Sequence, residues 1–242
     1  MKYKVQDKSY PNLFELAKDF YKDTEAFASY YRSDEFSELL KVTDDKKYEQ
    51  VRNLLSLMLP EDIFTFKVSY VLNPYMSFRI KGFCFSDYKK LGETILAYGP
   101  EYDSTLMEVI RYQLLSEQMK ACSYDEENPD IFNSVIEIEK DGEKDSLLSY
   151  FCLGYLLSKA DYIIYRQVKY KNIFNLVYYL IKSEKDLNSL GNNLSHSPLL
   201  KAYGLFHPKE KLDDYFHLIE SLEKNKKNLD SFLNRREKQN SL

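Results

Sequence analysis

Phe78-Arg79-Ile80-Lys81-Gly82-Phe83-Cys84-Phe85-Ser86-Asp87-Tyr88-Lys89-Lys90-Leu91 is the stretch on which the fold turns. A short strand over Phe78–Ile80 meets a polar turn, and a second short strand ends on Phe85; together they make a two-stranded hairpin. Asp87, two residues on, suits a helix N-cap, because its side chain accepts from the orphan N–H groups of a first turn. Tyr88, Leu91, Gly92 and Ile95 then recur at helical spacing.

The same order of events stands 85 residues further along the chain without a gap. Ile163–Tyr165 supplies the first strand, the second ends on Tyr170, Asn172 takes the cap position, and Ile173, Leu176, Val177 and Leu180 have helical spacing. The match extends upstream, where Tyr70-Val71-Leu72 faces Tyr155-Leu156-Leu157. A third version sits at the N-terminus: a strand over Tyr3–Val5, a second ending on Tyr10, Asn12 as cap, then Leu13, Leu16, Ala17 and Phe20. Tyr3, Phe78 and Ile163 form one recurring column and Tyr10, Phe85 and Tyr170 another, which assigns these largely aromatic positions to pinning each hairpin on its helix.

The predicted fold class is therefore α+β, mainly α-helical, with two to three repeats of a short β-hairpin followed by helices, plus a long C-terminal helix. The expected boundaries are 1–60 and 61–148 for the first two units, 149–208 for the third, and 209–242 for the C-terminal helix. A two-stranded hairpin is marginal alone, so each one must lie on helices or on a neighbouring copy.

Composition agrees with this reading. The chain has 242 residues with 22 Tyr, 15 Phe and no Trp, but only 7 Gly and 7 Pro, too few turn residues for an all-β sandwich or barrel. Glu101–Asp145 carries 13 acids against 4 bases. Within it Leu106, Val109, Ile110, Gln113, Leu114 and Met119 read as one amphipathic helix, residues 125–130 as a loop, and Asp141-Gly142 as a turn after Ile136-Glu137-Ile138. From Lys209 to Gln239 no Gly or Pro occurs, and apolar residues from Leu212 to Leu233 keep a period near that of a coiled coil. The last 19 residues of the chain hold six bases against two acids.

No motif assembles an active centre. Neither GxGxxG nor a Walker-type loop occurs, and His207 and His217 are spaced wrongly to share a helix face. Cys84, Cys122 and Cys152 are isolated, and Cys84 and Cys152 sit in apolar contexts where a thiol acts as a small buried hydrophobe. Without a metal-ligand spacing or a disulfide framework, no metal and no cofactor are expected, and a reducing cytoplasm is the expected location. The charged start of the chain lacks a signal-peptide core, and no stretch is apolar enough to span a membrane.

The function expected from this organisation is a non-enzymatic protein–protein interaction module, an adaptor or regulator. Arg79, Phe83, Tyr165, Arg166 and Lys169 of the second and third hairpins are its partner contacts, since Arg and aromatic residues dominate binding hot spots. The alternative is nucleic-acid binding through Lys171 of the third hairpin and Lys226, Lys227, Arg235 and Arg236 of the tail. Self-association through the C-terminal helix is a further expectation.

Overall fold

A computed structural model describes residues 3–80, 83–85, 87–98, 104–142, 144–183 and 193–224, with the side chains of 80, 83, 104–106, 218 and 220–224 outside that description. Three antiparallel hairpins punctuate a mostly helical chain: β1 (Tyr3–Val5) with β2 (Lys8–Tyr10), β3 (Phe78–Ile80) with β4 (Phe83–Phe85), and β5 (Ile163–Tyr165) with β6 (Val168–Tyr170). Their registers correspond. Tyr3 pairs with Tyr10, Phe78 with Phe85 and Ile163 with Tyr170, and all six side chains are buried. The intervening pair points the other way, as the two-residue period of a strand requires.

That alternation corrects one reading. Cys84 pairs with Arg79 on the outward face and is exposed, whereas Cys152 is buried as expected. Phe85, the next residue, packs into the core, so the context of Cys84 looks apolar while Cys84 itself points outward.

Each hairpin feeds a capped helix. Asn12 Oδ1 accepts from Glu15 N at 2.9 Å ahead of α1 (Leu13–Lys18). Asp87 Oδ1 accepts from Lys90 N at 2.7 Å at α6 (Tyr88–Tyr98), and Asn172 Oδ1 from Asn175 N at 2.9 Å at α12 (Ile173–Ser183). Between α1 and β3 lie a 3₁₀ turn (Phe20–Lys22), α2 (Thr24–Tyr31), α3 (Asp34–Thr43), α4 (Asp45–Leu55) and α5 (Glu61–Leu72). Between α6 and β5 lie α7 (Ser104–Arg111), α8 (Leu114–Ala121), α9 (Tyr124–Glu127), α10 (Pro129–Asp141) and α11 (Ser146–Ser158). The described chain closes with α13 (Pro198–Phe206) and α14 (Leu212–Lys224).

Three details differ from the sequence reading. The expected single helix through Leu106–Met119 is two, broken at Gln113, whose φ of 53° is left-handed. Residues 125–130 are not a loop: the short α9 covers the first of them, and Pro129 opens α10 at a position where a missing N–H costs nothing. Ile136-Glu137-Ile138 accordingly lies inside α10. The predicted C-terminal helix begins at Leu212 and buries Ile219, while its second half falls outside the described residues, as does the Lys81-Gly82 hairpin tip.

α5 and α11 are buried on nearly every side, which is why their sequences show no polar stripe. Hairpins β1–β2 and β3–β4 share one core with α5 and the inner face of α11, including Tyr31, Phe36, Phe64 and Tyr150. Hairpin β5–β6 belongs to a second core with α12, α13 and α14, to which α11 contributes Cys152 and Tyr155. The α6–α11 crossing joins the two and depends on glycine at both sides. A Cβ on Gly92 would stand 2.5 Å from Ser158 N and 2.8 Å from Gly154 O, and one on Gly154 would stand 2.7 Å from Leu96 Cδ2.

The tyrosine excess has a structural use beyond ring packing. Tyr70 on α5 donates to Ser77 O at 2.6 Å and accepts from Arg79 N at 2.9 Å, anchoring the start of β3. Tyr155 on α11 donates to Tyr162 O at 3.3 Å, just ahead of β5. Tyr31 meets Ser69 Oγ at 3.2 Å inside the first core. Phenylalanine supplies the ring but not these bonds, each of which satisfies a buried or half-buried polar atom.

Candidate interaction surface

The outward residues of the hairpins determine what each can offer a partner. On β1–β2, Lys8 pairs with Asp19, which also takes Lys22 Nζ at 2.8 Å and the Tyr10 hydroxyl at 3.2 Å. Burial alone would raise the Asp19 carboxyl, but hydrogen bonds from Lys22 and Lys8 outweigh it and hold the group below its usual range. The same carboxylate holds Lys8 charged, with the side-chain bond to Asp19 as the main cause. This cation is thus engaged by a residue outside its own hairpin, and it also lies 5.1 Å from the centre of the Tyr10 ring within it.

Arg79 on β3 is engaged in the same manner. Its guanidinium lies 4.6 Å from the centre of the Tyr21 ring in the 3₁₀ turn, and the side chain is half-buried. The sequence reading placed Arg79 among partner contacts; the structure places it in the seam between the second hairpin and residues 20–22. Phe83 pairs with Ile80 in register, and its side chain lies outside the described ones.

The third hairpin differs. Arg166 stands over Tyr165 at 5.3 Å, and Lys169 over Tyr162 at 3.4 Å, so both cations sit on rings of their own hairpin region. Arg166, Lys169 and Lys171 are exposed and Tyr165 is half-buried. Val168 and Tyr179 are also exposed, and Tyr179 packs its ring 5.6 Å from that of Tyr170. By register, Tyr165 and Val168 share the face of Ile163 and Tyr170, while Ile164 and Lys169 occupy the other. Burial, then Glu93 and Asp161, push the Tyr162 phenol above its usual value, keeping the ring neutral beneath Lys169. The turn itself is strained: Arg166 and Gln167 have φ of 49° and 65°, a left-handed pair in which neither residue is glycine.

Tyr165 and Arg166 are therefore in contact, Lys169 stands on the opposite face of the same hairpin over Tyr162, Arg79 lies on Tyr21 instead, and Lys226, Lys227, Arg235 and Arg236 lie outside the described residues. Tyr179, whose ring packs on Tyr170, and the seat of Lys169 on Tyr162 are not among the contacts expected from the sequence. Tyr162 was legible as the residue preceding the strand, on the same side as Ile164 and hence as Lys169.

Among the described residues no group of three or more His, Cys, Asp or Glu is placed to hold a metal ion, and no helix is long and apolar enough to cross a membrane. Burial pushes the Cys152 thiol up to about 11, with Asp145 adding to the effect, which keeps it protonated at neutral pH. Comparison with family models, with curated proteins and with solved structures found no match to this chain.

Proposed function

We propose that the chain is a protein-binding module, an adaptor or regulator, built from three copies of one hairpin–helix unit, and that the third hairpin faces the partner. One observation carries the reading. Lys8 of the first hairpin is bound to Asp19 as well as lying over Tyr10, and Arg79 of the second lies on Tyr21, so each has a partner outside its hairpin, whereas Arg166 and Lys169 are exposed over Tyr165 and Tyr162, within or directly before the third hairpin. A cation pre-positioned on a ring loses less side-chain freedom on binding than one free in solvent, which favours association.

The repeated unit is supported by more than the registers and caps. The buried helix Glu61–Leu72 precedes the second hairpin as Ser146–Ser158 precedes the third, and a tyrosine on each bonds the carbonyl seven residues on. The outward face of the first hairpin carries exposed Lys4 and Ser9.

The test is affinity capture with the wild-type chain and with Arg166→Glu/Lys169→Glu. Both side chains are exposed, so the variant keeps its helical signal and melting point while the captured protein is lost. Retention of every captured protein by the folded variant refutes the reading. If the captured material is nucleic acid, and log K falls linearly with log salt, the third hairpin and its Lys171 bind phosphate instead.

A further inference from the structure

Between α4, α5 and α8 lies a cleft of about 690 Å³, lined by none of the residues of the third hairpin and of a volume suited to a small molecule. Its composition is sharply divided. Leu54, Phe66, Tyr70 and Val71 supply apolar wall, and around it stand four lysines, Lys46, Lys47, Lys67 and Lys120, against two carboxylates, Asp44 and Glu117. The chain as a whole carries a net charge of −4, so this basin runs against the overall sign.

Both carboxylates are already committed. Asp44 Oδ1 accepts from Lys47 N at 3.1 Å to cap α4, and its Oδ2 lies 3.6 Å from Lys47 Nζ. Glu117 Oε1 accepts from Lys67 Nζ at 2.6 Å, and the Lys67 side chain is only 9 % exposed. Lys47 Nζ also donates to Leu72 O at 3.1 Å, satisfying a carbonyl at the end of α5. Two lysines thus serve the fold. The other two, Lys46 and Lys120, are exposed and form no ion pair among the described residues. Gln50, Asn53 and Gln118 add amide groups along the same lining.

We infer that this cleft binds a small amphipathic anion: an apolar, flat body against Phe66, Tyr70 and Val71, with a carboxylate, phosphate or sulfonate group met by Lys46 and Lys120. The apolar wall contributes by removing its remaining exposed surface from water, and the two exposed lysines select the sign of charge. A neutral aromatic leaves the lysines without a counter-charge, and a bare inorganic anion leaves the wall wet, so each binds more weakly than a molecule with both parts. The inference is independent of the third hairpin.

The probe is 8-anilinonaphthalene-1-sulfonate, an aromatic sulfonate, titrated into the full chain by fluorescence and calorimetry, with inorganic phosphate as the anion-only arm. The expected result is saturable binding at one site, weakened at least tenfold in Lys46→Glu/Lys120→Glu and weakened by added salt, with phosphate alone a poor competitor. The substituted side chains are exposed, so circular dichroism and melting point are unchanged in that variant. Absence of saturable binding, or an affinity within twofold of wild type in the folded double variant, overturns the inference.

Discussion

Glu139 on α10 is 2 % exposed, and its two oxygens accept from Leu115 N at 3.1 Å and Ser116 N at 3.3 Å, at the start of α8. The residue at the cap position, Gln113, makes no side-chain cap bond, so a carboxyl from another helix does the capping. Burial pushes that carboxyl up to about 7 from an ordinary 4.5; bonds from Ser116 and the two backbone N–H groups oppose the rise, and Glu117 adds to it. Between these values the folded chain holds a proton that the unfolded chain has released, so stability falls as pH rises. At about 1.4 kcal/mol per pH unit, the contribution present below pH 4.5 and lost by pH 7 is about 3 kcal/mol. Glu139→Gln removes the titration and keeps one carbonyl to accept from α8. Urea unfolding of both proteins, followed by circular dichroism at pH 5 and pH 8, isolates this group, because every other titrating residue is common to the two. The variant gains about 3 kcal/mol on the wild type between those pH values. A difference between the two proteins that stays constant from pH 5 to pH 8 refutes the reasoning.

Other substitutions probe the frame. Gly92→Ala places a methyl against the backbone of α11 and costs about 3 kcal/mol in urea unfolding, with a loss below 1 kcal/mol showing that the helices can separate cheaply. Gln167→Gly relieves a left-handed residue and stabilises by about 1 kcal/mol, measurable as a raised urea midpoint at unchanged slope. Tyr70→Phe leaves Ser77 O and Arg79 N without their partner and costs about 2 kcal/mol, with faster amide exchange in residues 78–85 than in residues 3–10 as its signature.

The parts of this fold that were legible in the sequence are those governed by neighbours along the chain. Strand limits at Tyr3–Val5, Phe78–Ile80 and Ile163–Tyr165, and caps at Asn12, Asp87 and Asn172, follow from local pattern and side-chain chemistry, and they stand where expected. What needed the structure involves distant partners. Arg79 is taken up by Tyr21, and the helix break at Gln113 is held by Glu139 from α10; neither partner is visible in a local window. The cleft was illegible for the same reason, since Lys46, Lys67 and Lys120 come from three helices and are ordinary surface lysines when read one at a time. Cys84 is the exception: its exposure was implied by strand alternation between two phenylalanines, and the apolar context concealed it.

Amide hydrogen exchange on the chain alone and on its captured complex tests the central claim most directly. The account predicts slowed exchange across residues 163–170 on binding, with residues 3–10 unchanged, because Lys8 in the first hairpin is already held by Asp19. Slowed exchange elsewhere, with residues 163–170 exchanging as in the free chain, contradicts it.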